Sequence, residues 1–461
     1  MKELHHNLKR VLICFATAFV LLASYLVYDI TVFGNRWVNS PYNPRLNQQR
    51  AKVTPGDILD REGRLMATTD GEGNRVYMDS RDKRVALCHV VGDRLGYCST
   101  GAETFHASTL LGYNSNLVGQ IKDALENKSR KGNDLTMTVD ANLQYTASQA
   151  MGGNKGAVVV LNYKTGEILT MLSTPGFDPA DLDGIKQAAE GDDARLLNRA
   201  TQGRYPPGST FKVVVAIAAL ENGLVDDNWS YNCTGELDLP GAPLGCTGVH
   251  GEVNLQEAFA HSCNTAFATL GAQVGAKKLV QTAERLGFNK EFLFQDLTLY
   301  SSKLELSALE GPDALARASI GQHEDLMTPM HLAMIGAAVA NGGVMPDLKL
   351  VNRGGSILPT LSAGGRVMSA STAEQMRVLM RSVVTEGTGT AAAVSGVKVC
   401  GKTGSAQVGG GAAAHAWFVG FIEEDEHPLA IAVLVENGDS GGRVAAPVAA
   451  AVLRDALDRG Y

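Results

Sequence analysis

Arg204-Tyr-Pro-Pro-Gly-Ser209-Thr-Phe-Lys212 is followed by the apolar run Val213 to Leu220. Pro206, Pro207 and Gly208 interrupt regular structure, and the run after them reads as one buried helix ending near Gly223. Ser209 is therefore expected at a helix N-terminus, with Lys212 one turn above it on the same face. A serine hydroxyl is a weak nucleophile until a base takes its proton, and a lysine serves as that base only when neutral. The helix dipole and partial burial both disfavour the ammonium there, so the two residues read as a nucleophile beside its base. Alone, the spacing is common, and a serine ahead of a helix ordinarily caps it.

Two further motifs change the weight of the first. His261-Ser262-Cys263-Asn264 follows the helical pattern Leu255 to Ala260 and offers a hydroxyl and an amide on a turn between helices. Gly401-Lys402-Thr403-Gly404-Ser405 follows the strand pattern Val397 to Cys400. Gly404 would let a ligand lie against the strand edge, while Lys402 supplies a cation and Thr403 a hydroxyl for a carboxylate. Each motif alone reads as a cap or an ordinary turn. In this order and these contexts, the three together resemble the penicillin-recognising serine acyltransferases.

Working outward, 461 residues exceed one ordinary core, so two or more domains are expected. A net charge of −7 leaves no basic footprint for nucleic acid. Lys2, Lys9 and Arg10 precede an apolar run from Val11 to Tyr28 that carries no charge before Asp29. That run suffices for a spanning helix, and its basic flank places the N-terminus in the cytoplasm and the rest outside the membrane. A cleaved signal peptide, with Ala23 and Ser24 near the cut, is the alternative; the length of the run favours an uncleaved anchor.

The seven cysteines include Cys14 in the anchor and no Cys-x-x-Cys pair, so no zinc spacing, metal or cofactor is expected. Cys233 and Cys246, like Cys88 and Cys98, flank loops suited to a disulfide, and spacing leaves their connectivity open. Gly156 to Leu161 and Glu167 to Leu172 read as a hairpin around Asn162-Tyr-Lys-Thr-Gly166. A mostly helical middle is expected from Ser209 to Asn341, after which strands resume at Val397 to Cys400, Ala416 to Phe421 and Ala430 to Glu436. A closing helix spans Ala445 to Arg459. Strands at both ends with helices between give an α+β fold in which the chain ends share one antiparallel sheet flanked by helices.

The resemblance extends beyond the three motifs. Pro55-Gly-Asp-Ile-Leu-Asp-Arg-Glu-Gly63 is similar to the pedestal motif of class B penicillin-binding proteins, the monofunctional peptidoglycan transpeptidases. Leu135 to Gln144, Thr165-Gly-Glu-Ile-Leu, Asn198-Arg-Ala200, Glu386-Gly-Thr-Gly-Thr390 and His415-Ala-Trp-Phe-Val-Gly420 resemble the same family. Pro55 departs from it, where arginine is usual, and so does His323-Glu-Asp325 after Gly321-Gln322. The resemblance implies a tail (1–10), an anchor (11–33), a linker (34–52), a pedestal (53–145) and a β-lactamase-like transpeptidase domain (146–461). It implies that Ser209 attacks the carbonyl between two D-alanines of a stem peptide, with Lys212 as base. Ser262 relays the proton and Lys402 poises the network, while Asn264, Thr403, Gly404 and Ser405 bind substrate. β-Lactams would acylate the same serine, and a polytopic glycosyltransferase in the membrane would be the partner. A class D-like β-lactamase and a penicillin sensor are the rival readings. The first usually has a hydrophobic residue at Asn264; the second needs a cytoplasmic effector region larger than the stretch before Val11.

Overall fold

The apolar run near the N-terminus lies inside one helix, α1 (Lys2–Val38), in a computed structural model that describes residues 2–39, 53–112, 130–191, 194–240, 242–352 and 364–461. Leu12, Phe15, Phe19, Leu22 and Leu26 are exposed on it. The apolar part, Glu3–Ile30, has 28 residues. At ~1.5 Å per residue that exceeds a hydrocarbon layer of about 30 Å. The helix runs on to Val38, into the segment expected to be linker. A further helix expected near Leu117 to Asn127 falls outside the described residues.

A hairpin forms from β1 (Ile58–Leu59) and β2 (Leu65–Thr69). Asp60 makes the turn: its Oδ1 accepts the Glu62 and Arg64 N–H groups at 2.9 and 2.8 Å, as short acidic side chains do in turns. β3 (Arg75–Tyr77) and β4 (Leu135–Thr136) complete a sheet of order β3-β2-β1-β4, with β4 parallel to β1. Asp140 caps α2 (Ala141–Met151) by accepting the Asn142 and Leu143 N–H groups. This helix crosses residue 145 and packs on the next sheet, so pedestal and main domain share it.

That sheet has five antiparallel strands: β5 (Gly156–Asn162), β6 (Ile168–Thr174), β7 (Val399–Ala406), β8 (His415–Ile422) and β9 (Leu429–Val435). Their order is β7-β8-β9-β5-β6, which brings the two ends of the domain together. Side chains alternate across it. Ala157, Val159, Trp417, Val419, Ala432 and Leu434 join one core, while Val158, Val160, Phe418, Ile431 and Val433 join another. Both faces are covered, which is why β5, β8 and β9 are apolar at nearly every position rather than every second one.

The first core contains α3 (Lys212–Glu221), α4 (Leu255–Ala260), α5 (Asn264–Val274) and α6 (Pro329–Ala340). The second contains α2 and α7 (Ala446–Asp458). Asn254 and Glu257 form a reciprocal capping box that starts α4. The helical middle is interrupted, contrary to expectation, by two small antiparallel pairs, Ser230–Cys233 with Gly251–Asn254 and Glu236–Leu237 with Leu244–Gly245. Strands of two to four residues with mixed burial carry too little periodicity to be read.

One buried cluster clamps the loop ahead of Ser209. Arg199 Nε lies 2.7 Å from Glu436 Oε1, and Tyr205 donates its hydroxyl to the same oxygen at 2.9 Å. Tyr205→Phe removes a hydrogen bond to a charged group and is expected to lower stability by about 1.5 kcal/mol in denaturant melts.

Candidate active site

The Ser209 turn is built before the helix rather than by it. Gly208–Phe211 forms a 3₁₀ turn, and α3 begins at Lys212, so Ser209 stands one turn ahead of the regular helix. Trp417 donates its indole N–H to the Pro206 carbonyl at 2.9 Å, and Tyr205 and Met327 exchange backbone hydrogen bonds. Trp417 is fully buried, so it packs the sheet and holds this turn from below. Gly208 has φ +53 and donates to the Gly321 carbonyl at 2.9 Å.

Gly321 itself has φ +73, and a Cβ there would stand 2.0 Å from the Gly208 carbonyl oxygen. Gly321→Ala is therefore expected to cost about 3 kcal/mol through left-handed strain plus a clash that backbone cannot relieve. It should also slow acylation, because Ser209 must move with Gly208; a melt and a penicillin-binding rate on one sample check both.

The second motif closes over Lys212. Ser262 ends α4 with φ +57, a conformation that β-carbon sterics disfavour and that costs on the order of 1–3 kcal/mol. That turn aims its carbonyl and hydroxyl at the Lys212 amine. Nζ is 2.6 Å from Ser262 O, 3.1 Å from Ser262 Oγ and 2.7 Å from Asn264 Oδ1. The expected partner was Ser209; the amine's hydrogen bonds go instead to the second motif. Lys212 is fully buried, and burial pulls its pKa down to about 7. Asn264 donates its amide to the Gly245 carbonyl at 3.1 Å.

The third motif lies within β7, which runs to Ala406 rather than stopping at Cys400. Alternation along it separates the motif's side chains. Lys402 falls on the buried face with Cys400 and Ala406, and its Nζ lies 3.2 Å from the Thr403 carbonyl and 5.6 Å from the centre of the Phe259 ring. Burial first, then the nearby Lys212, lowers its pKa well below the usual lysine range. Lys402 is thus desolvated beneath the cleft, on the face it shares with Gly404, rather than exposed at the strand edge. Gly404 also serves another end. A Cβ there would lie 2.9 Å from Thr210 Cγ2 and 3.0 Å from the Pro207 carbonyl oxygen, so its bareness admits the Ser209 turn.

Ser209, Ser262, Asn264, Thr403, Gly404 and Ser405 all line one open cleft of about 810 Å³. Lys212 and Lys402 lie beneath its surface. Thr388 and Gln322 line the cleft too, and the reading of the motifs missed both. Thr388 Oγ1 is 2.6 Å from Thr403 Oγ1, and Gln322 donates to the Ser405 carbonyl while accepting the Gln407 N–H. Both belong to quoted stretches, Glu386 to Thr390 and Gly321-Gln322, which were the available signal. His323 and Asp325 bend away: the Asp325 carboxyl is fully buried, and burial pushes its pKa up to about 7.

All seven cysteines are free thiols, so neither Cys233 and Cys246 nor Cys88 and Cys98 are bridged. Cys233, Cys246 and Cys263 converge instead with His250, a grouping that the search for Cys-x-x-Cys did not reveal.

Residues 156–454 match the family model described as the penicillin binding protein transpeptidase domain. A peptidoglycan D,D-transpeptidase, PbpA, of Mycolicibacterium smegmatis is 31% identical over 98% of this chain and 99% of its own. The MrdA transpeptidase of Acinetobacter baumannii is 33% identical over 68% of this chain and 52% of its own. Among solved structures, the ceftriaxone acyl-enzyme complex of Mycobacterium tuberculosis penicillin-binding protein A superposes with a TM-score of 0.78 at 32% identity. It covers 89% of this chain and all of that one. With its antiparallel sheet, its three motifs around one cleft and these matches, the chain belongs to the class B penicillin-binding proteins.

Proposed function

We propose that this chain is a membrane-anchored peptidoglycan D,D-transpeptidase that cross-links stem peptides through a Ser209 acyl-enzyme. The observation that carries the reading is a desolvated Lys212 amine, bonded to Ser262 and Asn264, below a cleft lined by Ser209. The names and chemistry of the relatives support the same reaction.

The Ser209 oxygen attacks the carbonyl between the two D-alanines, and its proton passes to the neutral Lys212 amine. Ser262 Oγ, in reach of Lys212 Nζ, hands a proton to the departing nitrogen and is reprotonated by Lys212. The carbon–nitrogen bond then breaks and D-alanine leaves. An amine of a second strand attacks the ester, forms the cross-link and returns the proton to Ser209. The oxyanion sits between the Ser209 and Ser405 backbone N–H groups, where each donor is worth about 10²–10³ in rate. Asn264 positions the substrate amide. Thr403, Ser405 and Thr388 offer hydroxyls to the terminal carboxylate, while Lys402, buried near Lys212 and with its pKa lowered by burial and by that neighbour, tunes the Lys212 amine. A β-lactam mimics the D-Ala-D-Ala unit and stays attached because its tethered leaving group blocks the second amine.

α1 anchors the chain, with residues 1–10 in the cytoplasm and the catalytic domain outside. The pedestal (53–145) and α1 are the elements that would meet a polytopic glycosyltransferase partner. Labelling with a fluorescent penicillin, followed by loss of label over time, tests the reaction. Retention for hours is expected; release within seconds would make the chain a β-lactamase.

A further inference from the structure

Four side chains behind the Ser262–Asn264 turn have no part in the acyl transfer: Cys233, Cys246, His250 and Cys263. One ligand atom from each lies within 4.8 Å of all the others. The Cys246 and Cys263 sulfurs are 3.7 Å apart, and His250 Nδ1 is 3.4 Å from Cys233 Sγ and 3.6 Å from Cys246 Sγ. These spacings discriminate between two relations. A disulfide draws two sulfurs to about 2.05 Å. A tetrahedral Zn²⁺ holds sulfur at about 2.3 Å and imidazole nitrogen at about 2.0–2.1 Å, so ligand sulfurs stand about 3.8 Å apart and sulfur and nitrogen about 3.6 Å apart. The observed separations follow the second pattern.

The surroundings agree with it. Three soft thiols and one imidazole are a zinc donor set, and Cys233 and Cys263 are fully buried. The Asn264 N–H donates to Cys246 Sγ and the Thr265 hydroxyl to Cys233 Sγ, both at 3.2 Å. Such bonds orient thiolate ligands and spread their charge. The four ligands come from separate pieces of the fold: the strand Ser230–Cys233, the loop between Gly245 and Gly251, and the turn between α4 and α5.

We infer that Cys233, Cys246, His250 and Cys263 bind one structural Zn²⁺ that ties these pieces together and fixes the Ser262–Asn264 turn. Binding exchanges three thiol protons for the ion, with imidazole entering neutral through Nδ1, and no electron changes hands. Four protein ligands fill the tetrahedron and leave no place for a reacting water. Its reach to the active site is mechanical. Cys263 stands between Ser262 and Asn264, and Cys246 accepts the Asn264 N–H, so two ligands hold the residues that hold Lys212. The ion also braces the left-handed Ser262 backbone.

The test is elemental analysis of the full chain in detergent, purified without a metal-charged resin. One zinc per chain is expected, falling about tenfold or more in Cys233→Ser and in His250→Ala. Should these variants fold poorly, Co²⁺ exchanged into the wild-type chain supplies a second reading. Tetrahedral cobalt-thiolate absorption is expected, and its absence overturns the site. The inference also fails if wild type and variants carry the same zinc, or if mass analysis finds a Cys246–Cys263 disulfide and no metal. None of these readouts depends on transpeptidation, so the site stands or falls apart from the reaction assigned above.

Discussion

Ser209→Ala is expected to take up no penicillin at any concentration or time. The substitution removes the Ser209 hydroxyl and leaves Pro206, Gly208 and their hydrogen bonds in place. The turn is held by backbone and by Trp417 rather than by the Ser209 side chain, so the variant should fold with an unchanged melting curve. Loss of label in a stable protein then assigns the loss to chemistry. Ser262, also on the cleft, is the serine held against the Lys212 amine and so the rival nucleophile. It sits 3.1 Å from Lys212 Nζ and has the backbone of a strained turn. Label persisting in Ser209→Ala and vanishing in Ser262→Ala would reassign the nucleophile.

Lys212→Ala is expected to slow acylation by about 10²–10⁴, the usual worth of a positioned general base. The sign of the pH dependence follows from the amine. Burial lowers its pKa to about 7, so the proton-accepting form gains population as pH rises through 7 and is depleted below it. The wild-type acylation rate should climb through that range and level off above it. The climb should disappear in Lys212→Ala and in Lys212→Arg, whose guanidinium stays charged. A rate flat across pH 6–8 in the wild type would remove Lys212 from the role of base.

The parts of the site that could be read from sequence are those carried by local chemistry. Pro206-Pro-Gly208 announces a break, and Val213 to Leu220 announces the buried helix behind it. β5, β8 and β9 were legible because nearly continuous apolar runs have few other homes. Counting by two from Cys400 puts Lys402 on the buried face. Thr388 and Gln322 reach the cleft through tertiary packing, and nothing in their own neighbourhood says so. The cysteine cluster was hidden differently. Cys246 and His250 are near neighbours, but Cys233 and Cys263 arrive from elements whose meeting only the fold decides.

The central claim is tested most directly by trapping the wild-type chain with penicillin, digesting it and locating the adduct by peptide mass. The account predicts one penicilloyl group per chain, in the peptide containing Arg204 to Lys212 and on the Ser209 oxygen. An adduct on Ser262, on Cys263 or on no residue of the cleft would contradict it.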